Sequence, residues 1–152
     1  MRAVLALLLL FVADTDQQIV DKSVPMTTGT TTAFGPVCSL SPTRDYTIRD
    51  VLGTDVKQLT VEAYDRQRFT TFERLRSEVE WIIAAPPEGH RPNDGANQPW
   101  SELTLIQAKL MVEWPDGTTR PLHVGFTSGG GYAHFQDRRG CEYWTRVIRT
   151  RR

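Results

Sequence analysis

The stretch from Leu103 to Thr127 constrains the fold most. Thr104, Ile106, Ala108, Leu110, Val112 and Trp114 share one parity, with Gln107, Lys109 and Glu113 on the other. Beyond Pro115-Asp116-Gly117-Thr118, Leu122, Val124 and Phe126 alternate with His123, Gly125 and Thr127. A period of two sends alternate side chains to opposite faces of a strand, so the spacing predicts a hairpin with one buried face and one wetter face. Pro-Asp-Gly supplies the tight reversal.

The rest of the pattern supplies a cover for that buried face. Phe72, Leu75, Val79, Ile82 and Ile83 recur at helical spacing and form a single apolar stripe. Thr70 and Glu73 match a capping box at its start, and Pro86-Pro87 ends it. Arg74–Glu78 and Arg76–Glu80 are spaced to pair on the solvent side. Before the helix, Leu59, Val61 and Ala63 alternate with Gln58, Thr60 and Glu62 as a half-buried strand, and Asp65 to Arg68 reads as a turn. After the hairpin, Gly129-Gly130-Gly131 reads as a flexible inter-strand loop, Tyr132 to Gln136 as a strand, Asp137 to Gly140 as a turn, and Cys141 to Ile148 as a last strand. The expected class is α+β: an antiparallel sheet of about four to five strands with one main helix packed on one face.

Residues 46–152 form the expected single domain. Residues 1–13 carry Arg2 and then an apolar run of signal-peptide length, shorter than the roughly 18 residues of a membrane span. Residues 14–45 read as a Thr/Ser-rich linker or extension. The expectation is therefore an exported protein, periplasmic or secreted, without a transmembrane span. Export makes a Cys38–Cys141 disulfide plausible, closing a loop worth roughly 4–5 kcal/mol in the chain-entropy model.

Charge narrows the partners. The chain has 18 basic and 18 acidic residues, a balance that disfavours a general nucleic-acid binder. From Arg138 to Arg152, however, six arginines stand against one acid, Glu142. No motif calls for a cofactor. The triglycine stretch lacks the order of a phosphate loop, and Ser128 lacks the flanking pattern of a nucleophile elbow. His123 and His134 lie on consecutive strands and with Asp137 or His90 offer imidazole and carboxylate donors that suit zinc, but their spacing matches no recognised metal motif, so no metal is expected. Trp100, in the Glu88–Trp100 connection, and Gln107, Lys109, Glu113, His123 and His134, on the wetter hairpin face and the next strand, are the candidate binding residues. The expected function is a non-enzymatic binding or inhibitor-like protein whose partner is a protein, a peptide or an envelope component. The alternative is a small metal-dependent hydrolase using His123 and His134.

Overall fold

The Pro115–Thr118 reversal forms as its residues dictate. Gly117 takes φ 82°, its N–H donates to the Trp114 carbonyl at 3.0 Å, and the Trp114 N–H donates to Thr118 O at 3.0 Å. A positive φ at this position suits glycine, which has no Cβ to clash. The computed structural model describes residues 18–25, 46–86 and 106–149. Around this turn the chain builds β1 (Gln18–Pro25), α1 (Ile48–Leu52), β2 (Gln58–Tyr64), α2 (Phe72–Ala84), β3 (Ala108–Glu113), β4 (Thr119–Thr127), β5 (Gly130–Gln136) and β6 (Glu142–Ile148). The strands form one sheet in chain order, β1-β2-β3-β4-β5-β6.

The α+β class holds, with more strands than expected and one parallel pair. β2 to β6 run antiparallel, whereas β1 lies parallel to β2. The sixth strand comes from within the stretch read as an extension. Its sequence, QIVDKSVP, hides a strand because it sits at an edge, where polar side chains face water and sustained alternation is not needed. A parallel neighbour requires a crossover, and the intervening chain includes α1. This second helix has only five residues, too few to show a periodic stripe. It is nevertheless well capped: Thr47 Oγ1 accepts the Asp50 N–H at 3.0 Å and the Asp50 carboxylate accepts the Thr47 N–H at 3.0 Å.

Both helices pack on the same face of the sheet. The α2 stripe buries Leu75, Val79, Ile82 and Ile83 against β-strand residues that include Leu59, Val61, Leu110, Leu122 and Val124. Each such side chain contributes about 1.5–3 kcal/mol on burial, whereas the exposed Arg76–Glu80 pair adds about 0.3–0.5 kcal/mol. Packing, not surface charge, holds the helix. Glu78 pairs with Arg149 rather than with Arg74, and that guanidinium also lies over the Trp81 ring at 4.1 Å. The cap is one residue later than the sequence suggests: Thr71, not Thr70, accepts the Arg74 N–H at 3.2 Å. Trp114, fully buried, donates its indole N–H to Leu52 O at 3.0 Å and so ties the end of α1 to the sheet.

Two local readings change. On β2 the register against β3 shifts between Val61 and Ala63, so Tyr64 enters the core and Ala63 leaves it. The triglycine stretch is not a loop. Ser128 and Gly129 make the turn, while Gly130 and Gly131 belong to β5, where they pair with Thr127 and Phe126. A Cβ on Gly130 would stand 2.1 Å from Val147 O, and one on Gly131 would stand 2.7 Å from Ile82 Cδ1. Glycine here reflects close approach of β6 and α2, not flexibility.

Candidate functional site

The face opposite the helices is organised by cross-strand pairing. Register places Ala63, Lys109, His123, His134 and Trp144 in one row across β2 to β6. A neighbouring row runs through Gly125, Tyr132 and Arg146, and on the other side lie the pairs Met111–Pro121 and Gln136–Glu142. Among the described elements, neither helix covers this face.

Its centre is nonetheless dry. His123 and His134 are directly opposite and only 7% and 5% exposed, drier than the wetter face that the alternation predicts. His134 stacks on the Trp144 indole, with centroids 5.0 Å apart and planes 9° from parallel. Its Nε2 lies 2.5 Å from Oε1 of buried Glu142, the diagonal neighbour from the adjacent row. Burial pushes the His134 pKa down to about 4 and raises that of Glu142. His123 is also held at about 4, first by burial and then by the positive charge that His134 and Lys109 would present. At neutral pH both imidazoles are uncharged, and a neutral His134 can donate Nε2–H to the Glu142 carboxylate. The arrangement can orient hydrogen bonds and exclude water.

Of the sequence candidates, Lys109, His123 and His134 come together. Gln107 and Glu113 lie on the same face but are engaged in holding the sheet. The Gln107 side-chain carbonyl accepts the Phe126 N–H at 2.7 Å, and Glu113 pairs with Lys57 at 2.9 Å. Trp100 and His90 lie outside the described residues, as do Cys38 and residues 1–13. Asp137 is taken up by the β5–β6 turn. Its Oδ1 accepts the Arg139 and Cys141 backbone N–H groups, and its Oδ2 accepts from Arg139 and the Tyr143 hydroxyl. Among the described residues, no group of three His, Cys, Asp or Glu is placed to hold a metal ion. None of the described helices is long and apolar enough to cross a membrane.

Glu142, Trp144, Tyr132 and Arg146 complete the site and were not among the candidates. The signal that locates them is the Asp137–Gly140 turn. Closing β5 and β6 around it sets Gln136 against Glu142, His134 against Trp144 and Tyr132 against Arg146. The Arg146 guanidinium then lies 5.6 Å from the Tyr132 ring centroid. Comparison with protein-family models, curated proteins and solved structures found no match.

Proposed function

We propose that this chain is an exported, non-enzymatic binding module, inhibitor-like in action, that holds a protein or peptide partner on the sheet face bearing Lys109, His123, Tyr132, His134, Trp144 and Arg146. The asymmetry of the sheet carries this reading. Both helices lie on one face, and the other gathers partly buried Tyr132 and Trp144 around a dry His134–Glu142 pair. Aromatic and arginine side chains around a water-poor centre are the usual energetic anchors of interfaces.

The test is capture of a partner from the envelope fraction of the native cells, followed by affinity measurement with the purified partner. Tyr132→Ala combined with Trp144→Ala should weaken binding by about 2 kcal/mol or more, the scale of interface anchors, while leaving a cooperative thermal transition. Unchanged affinity in the folded double variant would remove this face as the interface.

Export and a Cys38–Cys141 bridge belong to the same reading. Mass spectrometry and thiol titration of native, non-reduced protein check both. The expected result is a mature start after Ala13 and no titratable thiol. An intact leader would argue against export, and two reactive thiols against the bridge.

A further inference from the structure

The two edges of the sheet are finished differently. β1 carries devices that discourage further strands: a register shift between Asp21 and Val24, charged Asp21 and Lys22, and Pro25 at its end. β6 carries no proline and pairs with β5 without a shift from Gly130↔Ile148 to Gln136↔Glu142. Hydrogen bonds at both ends of this ladder fix its phase. The Asp137 N–H donates to Cys141 O at 2.9 Å and the Arg149 N–H to Gly129 O at 2.8 Å. Odd-numbered residues of β6 therefore bond to β5, and the N–H and C=O groups of Arg146 and Ile148 point away from it. Among the described residues, no strand pairs with that outer edge. Ile148, at its end, is 38% exposed.

Charge indicates what such an edge would accept. Arg146 is exposed over Tyr132, and among the described residues no carboxylate pairs with it. Of the other arginines described in this segment, Arg138 pairs with Asp55 and Asp116, Arg139 with Asp137 and Arg149 with Glu78, and the segment's one acid, Glu142, is buried against His134, so Arg146 carries the uncompensated charge beside this edge. A second copy paired through this edge would bring its own exposed Arg146 to it. An acidic segment would not meet that repulsion.

We propose that the β6 edge accepts an extended acidic segment of the partner as a seventh strand, continuing the face that bears His134 and Trp144. This rests on the binding-module reading and specifies the partner's chemistry. Main-chain hydrogen bonds supply affinity in such strand addition, and the side chains supply selectivity.

The probe is a synthetic peptide of about eight residues, near strand length, alternating Glu with Val or Thr. Its counterpart carries Lys in place of Glu. The Glu peptide should bind in saturable fashion and slow hydrogen exchange at the Arg146 and Ile148 amides, and the Lys peptide should not. Ile148→Pro removes an outward N–H while sparing the ladder to β5, and Arg146→Glu reverses the charge. Each should weaken the Glu peptide about tenfold, one step of 1.4 kcal/mol. Equal binding of the two peptides, slowed exchange confined to other strands, or unaltered affinity in both folded variants would overturn the edge proposal. The binding-module reading would survive those results, because its own test is the affinity of the Tyr132→Ala/Trp144→Ala protein for the captured partner.

Discussion

Gly130→Ala is expected to destabilise the protein by about 3 kcal/mol or more, at or beyond the upper end of ordinary overpacking costs. The new Cβ would stand 2.1 Å from Val147 O, and the obstructing atom is main chain in the adjacent strand. Relief requires β5 and β6 to separate, which breaks ladder hydrogen bonds at the strand pair that carries the candidate site. Gly131→Ala should cost less, because its clash is with the terminal methyl of Ile82, at 2.7 Å, and a side chain can rotate. Gly129→Ala meets nothing within 4 Å and should stay within about 0.5 kcal/mol of wild type. Urea unfolding of the three variants checks the order. Equal tolerance of alanine at all three positions would restore the flexible-loop reading.

Acidification should destabilise the folded chain, with an onset near the ordinary histidine pKa. His123 and His134 are held at about 4 when folded, against 6.5 for the unperturbed side chain. Between these values the unfolded chain binds protons that the folded chain refuses, so stability is complete above about pH 6.5 and falls as pH drops toward 4. From pH 7 to pH 5 each imidazole accounts for a loss of about 2 kcal/mol. Glu142 acts in the opposite sense, because its raised folded pKa lets the native state take up a proton early. The net loss is expected to be smaller than the roughly 4 kcal/mol of the two imidazoles together, and urea unfolding at the two pH values measures it. His123→Gln should remove roughly half of the histidine contribution. A flat profile across this interval would mean that the imidazoles are hydrated or already protonated in the native state.

The hairpin and α2 were legible because their signals are local. Ala108, Leu110, Val112 and Trp114 must share a face once the chain extends, and Leu75, Val79 and Ile82 must share one once it coils. The reading of Gly130 and Gly131 failed for the opposite reason. What demands glycine there is Val147 and Ile82, distant in sequence, whereas composition alone suggests a loop. β1 was hidden because a parallel edge strand needs neither full alternation nor a tight turn. At the site, Lys109, His123 and His134 were found by parity. Glu142 was seen only as the lone acid of an arginine-rich segment, because its role appears only when register sets it diagonal to His134. The aromatic and arginine members could have been placed by counting outward from the Asp137–Gly140 turn. His123 and His134 were placed on a strand face correctly and assigned to water incorrectly, since alternation gives direction but not depth of burial.

The most direct test of the binding face is hydroxyl-radical footprinting of the captured complex, read at single aromatic side chains. Tyr132 and Trp144 lie on the proposed face, and Trp81 lies on α2 on the opposite side of the sheet. Binding should protect Tyr132 and Trp144 from oxidation and leave Trp81 at its unbound level. Protection of Trp81 with Tyr132 and Trp144 unchanged would place the partner on the helical side and contradict the account.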